Sequence, residues 1–111
     1  MKEIKAYVHA SRIADVIAGL KGSTVWGNPD HDEHNLAVYV VKGSLVPLDD
    51  AERHYSLELG EEIINEYKVE LHCHDEDVPA LVDVIRRPGR TGSAVAGWIY
   101  VMDIASAEPI R

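Results

Sequence analysis

The residues of this 111-residue chain that are best suited to binding chemistry lie between positions 90 and 98. The stretch reads Arg90-Thr91-Gly92-Ser93-Ala94-Val95-Ala96-Gly97-Trp98 and joins a helical pattern to a strand pattern. Glycine permits a positive φ and leaves room for backbone N–H groups to approach an anion, so such a loop suits phosphate. The alternative is a plain helix-to-strand connection, in which Gly92 ends the helix and Gly97 starts the strand.

Histidines form a second group with chemical potential. His31 and His34 lie in a polar stretch, while His72 and His74 flank Cys73. Imidazole and thiolate bind transition metals, and side chains two apart on a strand share a face. No CxxC or HExxH pattern completes a metal site, so these four histidines are either a metal-responsive set or ordinary polar side chains.

Covalent catalysis receives no support from the remaining reactive residues. Cys73 has a histidine on each side in sequence, but strand neighbours point to opposite faces, so neither imidazole reaches the thiol. We therefore expect Cys73 to be a small core residue. The acidic pair Asp49-Asp50 is interpreted as solvated charge, and no enzymatic activity is predicted.

Composition limits the class of protein. A hydrophobic content of 46% over this length fits one domain spanning residues 1–111. The net charge of −8 argues against general nucleic-acid binding. The longest apolar runs, such as residues 36–41, are too short to span a membrane, and charges alternate where a signal peptide would be apolar. With a single cysteine as well, a cytoplasmic protein without membrane insertion is expected.

The chain alternates between strand and helix patterns. Strands are predicted at residues 2–9, 35–41, 66–74 and 98–102. The strand at 35–41 is apolar enough to be central and covered on both faces, or to enter a subunit interface. Residues 44–65 form a long, weakly periodic connection, with a short helix predicted at 48–55.

Two amphipathic helices complete the pattern. The first is expected from Ser11 as N-cap to Gly22, and the second begins after Asp75 or Asp77. Apolar residues repeat at helical spacing in both: Ile13, Val16, Ile17 and Leu20 in the first, and Val78, Leu81, Val82 and Ile85 in the second. The β-α-β-β-α-β order predicts an α+β, ferredoxin-like fold with a four-stranded antiparallel sheet.

The second half of the chain resembles the PII signalling family. The resemblance lies in the order of Lys68-Val69-Glu70-Leu71, Asp75-Glu76-Asp77-Val78, Arg90-Thr91-Gly92 and Gly97-Trp98-Ile99-Tyr100-Val101. In the first half, residues 1–6, the helix at 11–22 and Val41-Lys42-Gly43 are similar to a PII start and to the strand end before the family's long T-loop. The segment around 27–34 resembles an insertion.

The resemblance implies a non-enzymatic homotrimer that binds adenine nucleotides in clefts between subunits. It would regulate a membrane transporter or a metabolic enzyme through a mobile T-loop, here the long connection after Gly43. The implied nucleotide-binding residues are Gly43, Glu70, His72, Arg90, Thr91, Gly92, Ser93, Ala94, Val95, Ala96, Gly97, Trp98 and Arg111.

Departures from the family pattern indicate a divergent branch. Trp98 and Pro109 stand where PII proteins place a basic phosphate ligand, Pro47 stands where they place a glutamine, and Leu59 replaces a tyrosine. Fewer cationic contacts weaken triphosphate binding, so ADP or AMP is expected in preference to Mg-ATP.

The chain is thereby similar to PII-like proteins associated with carboxysomes or bicarbonate transport. The resemblance makes bicarbonate a second ligand, with Lys42, Gly43 and Arg53 as its candidate residues. The alternative function is a metal-responsive, PII-like or CutA-like protein that uses His31, His34, His72 and His74.

Overall fold

The computed structural model describes residues 1–27 and 34–111. In these ranges the strands are β1 (Lys2–His9), β2 (Ala37–Gly43), β3 (His54–Ser56), β4 (Glu61–Cys73) and β5 (Trp98–Asp103). The helices are α1 (Ile13–Lys21) and α2 (Val78–Gly89). Short 3₁₀ turns lie at Ala10–Arg12, Asp50–Glu52 and Asp75–Asp77.

The described strands form one antiparallel sheet in the order β2-β4-β1-β5, with β3 pairing the start of β4. Register is fixed around Ala6 of β1, which lies opposite Val69 of β4 and Ile99 of β5. The α+β class is confirmed, and this arrangement is compatible with a ferredoxin-like fold. The sheet has five strands rather than the predicted four. The additional strand, β3, is not predicted from the sequence because three residues are too short to produce a period-two pattern.

Both helices pack on one face of the sheet, as their apolar stripes predict. Alternate residues of β1 and β4 point toward them, since side chains at i and i+2 of a strand share a face. Fully burying a large aliphatic side chain stabilises the fold by about 1.5–3 kcal/mol. The buried cluster contains Ile4, Ala6, Val8, Val16, Leu20, Val69, Leu71, Cys73, Leu81 and Ile85.

The start of α1 differs from the prediction. Ser11 does not act as the helix cap; instead the imidazole Nδ1 of His9 accepts the backbone N–H of Ser11 at 3.1 Å. A 3₁₀ turn follows, and the α-helix begins at Ile13. The end is as expected, with the N–H of Gly22 donating to the carbonyl of Ala18 at 2.9 Å.

The apolar strand β2 is an edge strand, so it is not central or covered on both faces. Val38 and Val40 are 44% and 65% exposed, respectively. The long strand β4 begins at Glu61, five residues before the predicted start. Its first half escapes a periodicity search because the consecutive residues Ile63 and Ile64 are both buried.

The helices in the described ranges are too short and too polar to cross a membrane.

Candidate functional site

A cavity of about 400 Å³ lies where α2 approaches β1 and β5. We call residues 90–97 the glycine loop; all of them except Thr91 line this cavity, and Trp98 lies beside them. Its volume is within the range of small-molecule sites in proteins. The other walls come from Tyr7, Val8, Ile85, Arg86, Gly89 and Ile99.

The two glycines of the loop have different structural roles. Gly92 has a φ of +93°, a conformation that side-chain-bearing residues rarely adopt, and open space lies where its Cβ would be. Gly97 has no such dihedral, but a Cβ there would overlap the backbone carbonyl oxygen of Tyr7. Gly92 is therefore required by backbone conformation and Gly97 by the close approach of the loop to β1.

The helix ends before the loop makes its positive-φ turn. Because α2 ends at Gly89, Gly92 is not the residue that terminates it. Gly97 directly precedes β5, as expected for a simple helix-to-strand connection. Thr91 is not among the residues that line the cavity, and its hydroxyl oxygen accepts the N–H of Ser93 at 3.3 Å.

Two arginines are among the residues that line the cavity, Arg86 and Arg90. Arg86 Nη2 donates to Asp83 Oδ1 at 2.8 Å, and Arg87 Nη2 lies 2.8 Å from Asp83 Oδ2. The hydrogen bond from Arg86, together with the charges of both arginines, lowers the pKa of Asp83. Asp83 thus neutralises part of the local positive charge, while within residues 1–27 and 34–111 no carboxylate pairs with Arg90.

The remaining residues assigned to nucleotide binding lie elsewhere in a single chain. Glu70 and His72 are on β4. Strand β1 lies between β4 and β5, so β4 is two strand spacings, or about 10 Å, from β5. Glu70 and His72 border a different cavity of about 260 Å³ with Glu3, Asn35 and Tyr39. Arg111 is exposed at the chain end, so the chain by itself does not unite these residues with the glycine loop.

Glu70 is held in a small network on the open side of the sheet. Its carboxylate accepts the hydroxyl of Tyr39 at 3.1 Å and lies 3.2 Å from Lys68 Nζ. Lys68 Nζ also lies 4.4 Å from the ring centroid of Tyr39. Burial opposes ionisation of Glu70, but the hydrogen bonds from Lys68 and Tyr39 outweigh it and lower its pKa.

A third cavity, of about 210 Å³, lies at the end of β2, and we call it the loop-base cavity. Of the candidate bicarbonate residues, Gly43 and Arg53 line it, together with residues 44–47 and 62–64. Lys42 does not, and its Nζ lies 3.9 Å from Glu58 Oε2. The acidic residue Glu62 is among the residues that line this cavity.

The histidines do not form a metal centre in the part of the chain that the structure describes, where no group of three or more His, Cys, Asp or Glu residues could hold an ion. His31 lies outside the described residues. His34 is buried, stacks on Trp26 with 4.4 Å between ring centroids, and uses Nδ1 to donate to the carbonyl of His72 at 3.1 Å. His72 is in β4, and His74 follows the end of that strand, so they lie on either side of buried Cys73 in the sequence.

Cys73 is a core residue, as predicted. It is 1% exposed, and burial raises the pKa of its thiol to about 11. The thiol is therefore protonated at neutral pH. Asp49 is not simply a solvated charge, because its carboxylate caps the 3₁₀ turn by accepting the N–H of Ala51 at 2.9 Å.

Sequence reasoning missed one cluster of titratable groups, formed by His9, Glu52 and Glu66. His9 and Glu66 are 3% and 4% exposed, and Glu52 Oε2 lies 2.6 Å from His9 Nε2. Burial raises the pKa of Glu66, while the N–H of Leu45 and the imidazole of His9 act in the opposite direction. No local motif marks the cluster, since its members come from three separate elements.

No model of a known protein family matches this chain. The resemblance to the PII family therefore remains a prediction from the residues quoted above.

Proposed function

We propose that the protein is a PII-like, non-enzymatic regulator that binds ADP or AMP in the cavity formed by the glycine loop. The observation that carries the proposal is the placement of Arg90 and residues 92–98 around one cavity of about 400 Å³. Its walls combine aromatic and aliphatic side chains with small residues whose backbone groups can be approached closely. In a nucleotide, the planar base would contact the aromatic and aliphatic side chains, and the phosphate would contact the backbone groups.

The chemistry of the walls supports a ligand of modest charge. Backbone N–H groups in a glycine-rich turn and an arginine guanidinium can bind a phosphate. Arg90 is one such group, whereas Arg86 is already bonded to Asp83. Trp98 contributes an apolar surface where another cation would favour a triphosphate, so ADP or AMP is expected to bind more tightly than Mg-ATP.

The open face of the sheet supports assembly into a homotrimer. On the face opposite the helices, Tyr39, Trp98 and Tyr100 are 43%, 57% and 47% exposed. Tyr7 and Tyr100 meet edge to face there, with 6.1 Å between ring centroids. Exposed tyrosine and tryptophan side chains are enriched at protein interfaces, so this face is the proposed contact surface. Assembly through it would bring Glu70, His72, Gly43 or Arg111 of one protomer toward the glycine loop of another.

The segment between β2 and β4, residues 44–60, is proposed to be the regulatory loop; we call it the β2–β4 connection. It carries exposed apolar side chains that suit docking to a transporter or a metabolic enzyme in the cytoplasm. Nucleotide would act by binding one arrangement of the connection more tightly than another. Bicarbonate in the loop-base cavity is proposed as a second effector. The exposed apolar residues are Val46, Leu48, Tyr55, Leu57 and Leu59.

Isothermal titration calorimetry of the purified protein tests the proposal. Saturable binding of ADP or AMP, one per chain, is expected, with weaker binding of Mg-ATP and none of inorganic phosphate alone. Arg111→Ala should weaken binding, because Arg111 of a neighbouring protomer is proposed to contact the nucleotide. Absence of binding by any adenine nucleotide would refute the function, and light scattering would test the trimer independently.

A further inference from the structure

His9 uses both ring nitrogens although its side chain is almost completely buried. Nδ1 lies 2.8 Å from Ser11 Oγ and accepts the backbone N–H of Ser11 at 3.1 Å. Because that N–H can only donate, Nδ1 is an acceptor and the neutral ring carries its proton on Nε2. Nε2–H then donates to Glu52 Oε2 at 2.6 Å.

The carboxylate of Glu52 connects this imidazole to the β2–β4 connection. Its second oxygen, Oε1, accepts the backbone N–H groups of Leu48 and Asp49, both at 3.1 Å. One side chain therefore ties a turn of the connection to the end of β1. Hydrogen bonds to a charged group stabilise a structure more than bonds between neutral groups do.

Glu66 holds the beginning of the same connection. It lies opposite His9 in the β1–β4 ladder, and its Oε2 accepts the N–H of Leu45 at 3.2 Å. Gly43 leaves the space that this carboxylate occupies, because a Cβ at that position would overlap it. The first part of the connection is thus attached at Leu45 to Glu66 of β4 and at Glu52 to His9 of β1.

We propose that His9 is a positioning residue, and that His9, Glu52 and Glu66 form a clasp holding residues 44–53 of the β2–β4 connection against the sheet. The clasp sets the shape of the loop-base cavity, since residues 44–47 and Arg53 are among its walls. When the clasp opens, residues 44–53 leave the sheet and the loop-base cavity loses these walls at the same time. Its consequence for target docking rests on the proposed function, whereas the clasp itself does not.

A matched pair of substitutions at one position separates the clasp from the helix cap. His9→Gln places an amide donor near the position of Nε2 and keeps a bond to Glu52. His9→Asn places an acceptor near the position of Nδ1, which keeps the Ser11 N–H bonded but cannot reach Glu52. Only His9→Asn should open the clasp.

Hydrogen–deuterium exchange of the full chain without nucleotide is the assay. In His9→Asn, the amides of Leu45, Leu48 and Asp49, which Glu66 and Glu52 hold, should exchange at least tenfold faster than in the wild type, with β1 and α2 unchanged. In His9→Gln, they should stay within about threefold of the wild type. Equal exchange in the two variants, or acceleration confined to residues 10–13, would overturn the proposal.

Glu52→Gln decides the matter if His9→Asn fails to fold. The amide keeps an oxygen for the N–H groups of Leu48 and Asp49, but its NH₂ cannot accept from His9 Nε2–H. The ring cannot switch tautomer to compensate, because the N–H of Ser11 keeps Nδ1 an acceptor. Faster exchange at the amides of Leu45, Leu48 and Asp49 supports the clasp, and wild-type exchange there overturns it. Since no nucleotide is present, failure of the clasp is distinct from failure of nucleotide binding.

Discussion

Replacing Gly92 by alanine tests whether the glycine loop binds ligand in the conformation described. Gly92 has a φ of +93°, and no heavy atom lies within 4 Å of the position its Cβ would take. The methyl group therefore has room, and the cost is purely conformational. An L-residue in the left-handed region costs about 1–2 kcal/mol.

This cost translates into affinity if the nucleotide selects the positive-φ loop. The free variant relaxes its loop, and binding must restore the strained conformation. Because about 1.4 kcal/mol corresponds to a tenfold change in Kd, Gly92→Ala should weaken ADP or AMP binding by roughly 5- to 30-fold. Calorimetric titration measures this change directly.

Gly60 provides a matched control, since it has a φ of +68° in the turn between β3 and β4. Gly60→Ala introduces a comparable backbone strain outside the cavity lining. It should lower stability but leave the nucleotide Kd within about twofold of the wild type. Equal affinities of Gly92→Ala and Gly60→Ala would refute the assignment of this loop.

Three further substitutions have defined outcomes. Gly97→Ala should lower the free energy of unfolding in urea by about 1–3 kcal/mol, because the methyl group overlaps the carbonyl of Tyr7; an unchanged urea midpoint would contradict this close approach. Burial raises the pKa of Glu66, so native stability is lost as pH rises through that folded-state pKa. Glu66→Gln should therefore be more stable than the wild type at pH 8, and this gain should disappear below the carboxyl's ordinary value of 4.5. A gain that persists at pH 3 would show that charge burial is not its cause. Trp98→Lys should shift the ratio of Mg-ATP to AMP affinity toward Mg-ATP by up to about fivefold, or ~1 kcal/mol for a half-exposed charge; calorimetry with both nucleotides checks this, and an unchanged ratio would contradict the charge argument.

Periodic segments of the chain could be predicted because their patterns are long and local. The apolar stripes of α1 and α2 recur over two or more turns, and both helices pack as expected. The hairpin of β3 and β4 could not be found in this way. β3 has three residues, and the adjacent Ile63 and Ile64 are both buried, which removes the alternation of a half-buried strand.

The candidate sites also differ in whether their residues are close together in the sequence. The glycine loop is contiguous in sequence, so its residues could be singled out before their cavity was known. The clasp unites His9 and Glu52, which are 43 positions apart, and no spacing rule connects them. The prediction that Ser11 caps the first helix is wrong for a different reason: a serine before a helix usually supplies the cap, whereas here buried His9 accepts the N–H of Ser11.

The most direct test of nucleotide binding at the glycine loop is a map of backbone amide chemical shifts during titration with ADP. The largest changes should fall on residues 90–98 and on the adjoining Tyr7 and Val8. Saturation should occur at one nucleotide per chain. The proposal would be contradicted if ADP left these amides unchanged, or if the largest changes fell on the loop-base cavity alone.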